Sequence, residues 1–398
     1  MEPPASSRPA GRLLALGLVT LVFNLGGGLI APALPLYARS LGADYRDLGL
    51  IGASHGLVFA ALTIPLGRAS DRFGRRALLL CSALGIGAAA ALYLAATRVI
   101  GLVAGKVLEA AAWAAFWPAI EAWVAEAFGR GAGTAMGVGY GAYAAAFVIG
   151  SSAAGFVIEA AGLRAPFVLY LGTAAAALAL VFALPAPRMS AEHAVEGSPR
   201  LGTRRGLAEA AARRQRLLAY GTGFAYVFGL GTVLSFLPAY AADRGLGPRA
   251  VGLLLGAYWM ARLAASLAAG RLSDRLGRRA VLVPAMLLSA AAAVLVAAPA
   301  GPVVLAVGTV GLGLTAGACA PTCVGLIADH VRPADRGIAM GLFEGACGLS
   351  FIVAGMVGGY AADALGPEIP YFLVAALALG WTLVLARVLE PLAVARFD

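Results

Sequence analysis

Charged side chains are scarce in this sequence. Asp, Glu, Lys and Arg supply 13% of its residues, against roughly 25% in an ordinary soluble domain. That deficit excludes a water-exposed surface over most of the chain. Histidine and cysteine are also few, 3 and 4 respectively, and no His/Cys cluster has metal-ligand spacing, so no metal is expected. Cys81, Cys319, Cys323 and Cys347 all fall in apolar runs, and no disulfide framework is expected. A phosphate-cradling P-loop is missing, which argues against energy from nucleotide hydrolysis and leaves an ion gradient as the source. Segments of alternating polarity are missing as well, so a membrane β-barrel is excluded.

What the sequence has instead is length of apolar run. Twelve blocks, from 12–37 to 369–389, are long enough and apolar enough to cross a bilayer as helices, and a closed set of helices satisfies every backbone group in lipid. The first block exceeds a signal-peptide core and carries Asn24, Pro32 and Pro35, so it is read as the first span, with the mature chain starting near Met1. The expected class is all-α integral membrane.

A formal net charge of +10 raises the question of a nucleic-acid partner. With the N-terminus placed in the cytoplasm, 22 arginines fall on the inner side and 6 on the outer. This positive-inside bias explains the charge by topology and removes the need for nucleic acid. Both termini are then cytoplasmic, and the partner is the lipid bilayer.

The string GRASDRFGRR at 67–76 returns as GRLSDRLGRR at 270–279, an offset of 203 positions. Leu34-Pro35 meets Leu237-Pro238 and Pro118 meets Pro321 at the same offset, and after one inserted residue Met136-Gly137 meets Met340-Gly341. The chain therefore divides into an N-terminal half, 1–184, a linker, 185–216, and a C-terminal half, 217–398, as two parallel six-helix repeats. The linker ends in RRGLAEAAARRQR, a basic stretch expected to form a surface helix on the inner leaflet.

These features resemble the major facilitator superfamily of secondary transporters, through twelve spans, two halves, a long central loop and the G-x-x-x-D-R-x-G-R-R turn after the second span. The turn occurs at Gly67, Asp71, Arg72, Gly74, Arg75 and Arg76, and again at Gly270, Asp274, Arg275, Gly277, Arg278 and Arg279. The resemblance implies a cytoplasmic latch. In it Asp71 faces the start of the eleventh span near Arg336-Gly337, Arg75 pairs with Glu126, Asp274 faces 131–133, and Arg278 pairs with Asp329. Glycines in the turn are expected to allow close packing and tight reversal. Where the family has arginine and glutamine in its fourth span, this chain has Lys106 and Glu109, and its fifth span, GAYAAAFVIGSSAAG, lacks the glycine-proline pair of many proton-driven exporters.

Ionisable groups at bilayer depth are costly and so are functional candidates. Here they are His55, Lys106, Glu109, Glu121, Arg262 and Glu344. Lys106, Glu109, Trp113 and Trp117 recur at helical spacing and form one stripe, expected to line a central cavity. Two readings of its charges stand: an i,i+3 ion pair that anchors packing, or a carboxyl that loads and releases a proton. Arg262 follows Tyr258 by one turn and either pairs with Glu344 or meets an anionic substrate. His55 and Asn24 read first as helix-helix hydrogen-bonding groups. The expectation is a monomeric, non-enzymatic transporter in the cell membrane, using alternating access to export hydrophobic or amphipathic small molecules against a proton gradient. A sugar or organic-anion transporter and a non-transporting sensor are the rival readings.

Overall fold

The structure, a computed structural model, describes residues 9–128, 131–184, 206–331 and 336–389. Among these residues every regular element is a helix. Each of the twelve apolar runs forms one: α1 Pro9–Ser40, α2 Tyr45–Phe73, α3 Arg75–Ala95, α4 Val99–Phe128, α5 Ala132–Ala161, α6 Ala165–Ala183, α7 Gly206–Asp243, α8 Pro248–Leu276, α9 Arg278–Ala297, α10 Pro302–Asp329, α11 Arg336–Leu365 and α12 Ile369–Val388. All twelve are long and apolar enough to cross a membrane.

Contacts divide the chain into two compact units, Met1–His193 with Leu234–Trp259, and Ala194–Val233 with Met260–Asp398. The boundary read from the repeat is not followed residue for residue, because the hairpin formed by the end of α7 and the start of α8 clusters with the first six helices. Most of the linker, 185–205, lies outside the described residues. Its basic end is not a separate surface helix: it runs without a break into α7 from Gly206. No helix breaker separates the strong formers Ala, Arg, Gln and Leu of 207–218, so the helix propagates.

Lipid tails are as apolar as leucine, so burial alone does not drive these helices together and close approach must do so. In the first unit α1 packs on α5 and α6, α3 on α4 and α6, and α2 on α4. The α1–α5 crossing is backbone against backbone. A Cβ placed on Gly150 would come within 2.6 Å of the Leu25 carbonyl oxygen, and one on Gly28 within 2.8 Å of the Ala146 carbonyl oxygen. Ser151 Oγ donates to the Gly28 carbonyl at 3.1 Å across the same contact. In the second unit α9 packs on α10 and α12. There Gly317 on α10 would carry a Cβ 2.2 Å from the Arg262 carbonyl oxygen, so only glycine admits that approach of α8.

Candidate functional site

The charged and aromatic stripe on α4 resolves into two groups. Lys106 Nζ lies 3.0 Å from Glu109 Oε1, and the Tyr93 hydroxyl of α3 donates to Glu109 Oε2 at 2.5 Å. Glu109 is 2% exposed, and Lys106 is the only lysine in the sequence. Gly105 makes room for this arrangement, since a Cβ there would stand 2.6 Å from the Tyr93 ring. Both carboxylate oxygens are thus engaged by fixed donors. This is the i,i+3 pair that the spacing allowed, with a tyrosine added by tertiary packing.

One turn further, Trp113 enters an aromatic cluster. Its ring meets His55 edge-on at 6.1 Å, Tyr143 at 6.2 Å and Phe147 at 5.9 Å. Tyr143 and Phe147 continue to Trp259 on α8, with centroids 5.7 and 4.3 Å away, and Tyr258 meets Trp259 edge-on at 5.6 Å. Trp117 stacks on Tyr140 of α5 at 5.4 Å with 17° between planes, and the Tyr140 hydroxyl donates to Glu121 Oε1 at 3.0 Å. His55 lies parallel to Phe59 of its own helix at 6.1 Å. Asn24 is fully buried on α1 and donates to the Thr20 carbonyl of the same helix at 2.7 Å. The side chains of α4, α5 and α8 therefore assemble into one aromatic wall with a carboxylate at its edge.

The repeated turns have one geometry written twice. Gly74 and Gly277 have φ of 91° and 89°, a left-handed conformation that costs an L-residue energy, and each ends one helix as the next begins. At Gly67 and Gly270 the expected close packing is not what the structure shows. A Cβ would make ordinary contact with Pro118 at the first and meet open space at the second. Arg75 Nε donates to Glu126 at 3.0 Å, while its Nη1 donates to Ser70 Oγ at 3.1 Å and also to Asp71. Arg278 does the same with Asp329 at 3.0 Å, Ser273 at 2.6 Å and Asp274 at 2.6 Å. Arg76 and Arg279 cap the last carbonyls of α6 and α12 through Phe182 and Ala386, at 2.5 and 2.6 Å. Arg72 lies over the Phe73 ring at 5.5 Å, and Arg275 is exposed. Asp71 and Asp274 are held by the arginine one turn on. The backbone at 332–335 and 129–130, and the side chains of Arg336, Gly337 and 132–133, lie outside the described residues.

A second polar constellation, at the opposite end of the first unit, was not anticipated. Arg39 Nη2 donates to both carboxylate oxygens of Asp243 at 3.0 and 3.1 Å, and the Tyr45 hydroxyl donates to Asp243 Oδ2 at 2.8 Å. Nearby, Arg249 N donates to Glu159 Oε1 at 3.2 Å, and a Cβ on Gly252 would stand 2.7 Å from the Ser151 carbonyl. The α7–α8 hairpin is thereby fastened to α1, α2 and α5.

The sequence model for the Major Facilitator Superfamily matches residues 16–247 and again 219–396, which together cover nearly the whole chain and fall on its two repeats. The chain belongs to that superfamily. An uncharacterised MFS-type transporter of Methanocaldococcus jannaschii is 23% identical over 366 residues, covering 89% of this chain and 92% of that protein. The quinolone resistance protein NorA of Staphylococcus aureus is 27% identical over 166 residues, 42% of each chain. Among solved structures, a variant of the nucleoside transporter NupG superposes with a TM-score of 0.81 at 13% identity, over 95% of this chain and all of that one. The protein is therefore a multi-pass membrane transporter and not an enzyme.

In this superfamily transporter the second unit carries the remaining candidates. Arg262 sits where α8 meets α10: its carbonyl accepts from Ser266 Oγ at 2.9 Å, and the same hydroxyl reaches the Gly317 carbonyl at 3.1 Å. Glu344, on α11, is exposed. Both lie within electrostatic reach of the Tyr226 hydroxyl and the Cys347 thiol, so residues of α7, α8 and α11 share one neighbourhood. Six participants escape a reading of the sequence: Ser70, Ser273, Tyr93, Arg39, Tyr45 and Asp243. Ser70 and Ser273 carried a visible signal, since both copies of the turn place serine before the aspartate. Tyr93 and the Arg39–Tyr45–Asp243 group carried none, because residues 203 positions away from them do not repeat their chemistry.

Proposed function

We propose that this chain is a proton-coupled exporter of hydrophobic or amphipathic small molecules. It works as a monomer by alternating access in the cell membrane, with both termini in the cytoplasm. The observation that carries this reading is the aromatic wall of α4, α5 and α8 with Glu121 at its edge. Flat rings with few fixed hydrogen-bond donors favour ligands bound by stacking and shape over ligands bound by many hydroxyls. The partial likeness to a quinolone resistance protein points the same way. The arginine asymmetry of 22 against 6 supports the orientation.

For the coupling proton, Glu344 is a better candidate than Glu109. Glu109 is 2% exposed and clamped by Lys106 and Tyr93. Glu344 is exposed and, like Arg262, lies within electrostatic reach of the Cys347 thiol. The test is flux in proteoliposomes under an imposed proton gradient. Dye or drug should move against the proton flow, and Glu344→Gln should lose at least tenfold of that driven flux while substrate counterflow persists. Substrate moving with the protons would reverse the assigned direction. Full driven flux in Glu344→Gln would remove Glu344 from coupling.

A further inference from the structure

The export reading places Glu121 at the edge of the aromatic wall and leaves the charge of the ligand it meets unassigned. Glu121 lies on α4 seven residues before the helix ends at Phe128, about 10 Å along the axis at 1.5 Å per residue, and it is exposed. An ionised carboxylate turned to hydrocarbon is costly. Its place one turn beyond Trp117, slightly to the side of the stripe, puts it on the aromatic side of the helix. One of its oxygens accepts from Tyr140, and no ion pair engages it among the described residues. A carboxylate offers about four acceptor sites, so most of its capacity is unused.

The neighbouring surface is open as well. Tyr140 is 49% exposed although its ring stacks on Trp117. Gly137, on the same face of α5 one turn away, and Gly141, beside Tyr140, would each carry a Cβ that meets nothing within 4 Å. The space between α4 and α5 at this level is therefore bounded by two stacked rings and a carboxylate, with vacant ground along the α5 face.

We infer that Glu121, Tyr140 and Trp117 form the recognition site for the positively charged end of a lipophilic organic cation. The carboxylate supplies the counter-charge, and the Trp117 and Tyr140 faces supply cation–π and stacking contacts. Such a ligand needs no hydrogen-bond donor, which suits a wall that offers aromatic faces and one anion. An anion of the same shape would be repelled. The inference rests on the export reading for its transport role, but the binding claim stands separately from flux.

The experiment measures binding to detergent-purified full-length protein by tryptophan fluorescence. Tetraphenylphosphonium serves as the cation and tetraphenylborate as a matched anion, with transport of both followed in proteoliposomes. Expected is saturable binding of the cation that weakens at least tenfold in Glu121→Gln and recovers in Glu121→Asp, with anion binding no weaker in the Gln variant. Gly137→Leu, which fills the vacant face without touching the carboxylate, should also weaken cation binding at least tenfold. Each variant is checked for an unchanged elution volume and thermal midpoint. Equal cation affinity in wild type and Glu121→Gln, or equal affinity for both ions in wild type, overturns the inference. If that occurs while neutral amphipaths are still pumped, the export reading survives alone. Glu121-dependent cation binding without gradient-driven movement of any amphipath keeps this site and overturns export.

Discussion

At Glu109 the spacing allowed either an ion pair or a proton carrier, and the folded chain forms the ion pair with Lys106. A buried ion pair is costly to desolvate, and its net worth over an apolar pair is small or negative. Breaking it from one side is another matter. Glu109→Gln would leave the Lys106 ammonium, whose side chain is 19% exposed, without its countercharge. The loss expected from removing one partner of such a pair is about 3 kcal/mol. Converting both residues together, Lys106→Met with Glu109→Leu, leaves no orphaned charge. The double variant should therefore melt above Glu109→Gln in the same detergent, and both should melt below or near the wild type. A double variant that melts lowest, or a Glu109→Gln protein that keeps its midpoint but loses driven flux, would return Glu109 to the coupling role.

At the scale of helices, close approach matters more than side-chain bulk. Gly150 faces backbone atoms of α1, with the Leu29 amide nitrogen 2.8 Å from where a Cβ would sit. Gly137, on the same helix, faces open space. Gly150→Leu should force α1 and α5 apart and abolish recovery of monodisperse protein, whereas Gly137→Leu should purify normally; size-exclusion profiles of the two separate these outcomes. That contrast also marks what sequence reading could and could not deliver. All twelve spans were legible because about 20 apolar residues admit one solution in lipid. The turn arginines were legible because the chain repeats them, while the pairing of Arg75 with Glu126 and Arg278 with Asp329 was implied by the family resemblance. Which of the 53 glycines touches another backbone was not legible, since 137 and 150 differ only in what lies across from them. The same holds for Tyr93, which reaches Glu109 from another helix. Where α7 begins was not legible either, because a basic surface helix and the start of a span share one propensity and nothing between them stops the helix from Gly206.

For the whole molecule, the proposed alternating access would demand that closing contacts be weak enough to break in every cycle. The Arg39–Asp243 pair meets that demand. Its side chains are 35% and 36% exposed, so solvent screening limits its worth, and with the Tyr45 hydrogen bond removal of the carboxylate charge should cost about 1 kcal/mol. That corresponds to a roughly fivefold change in the ratio of closed to open states. The fastened hairpin includes Ser235, which is 7% exposed and whose hydroxyl would lie 2.2 Å from a Cβ on Gly52 of α2. A cysteine at 235 is therefore a reporter of hairpin release, once the four native cysteines have been replaced. In a Ser235→Cys background, Asp243→Asn should raise the rate of labelling by a membrane-impermeant maleimide about fivefold at neutral pH. High salt should raise labelling of the parent toward the same rate, because an exposed ion pair is screened. Tyr45→Phe, which deletes one hydrogen bond and leaves the charges, should give a smaller increase. Labelling that is unchanged in Asp243→Asn and insensitive to salt would mean that the interhelical glycine contacts at 155, 252 and 256 hold the hairpin without help from the charges. Substitution of Gly252 by alanine would then be the change that releases it.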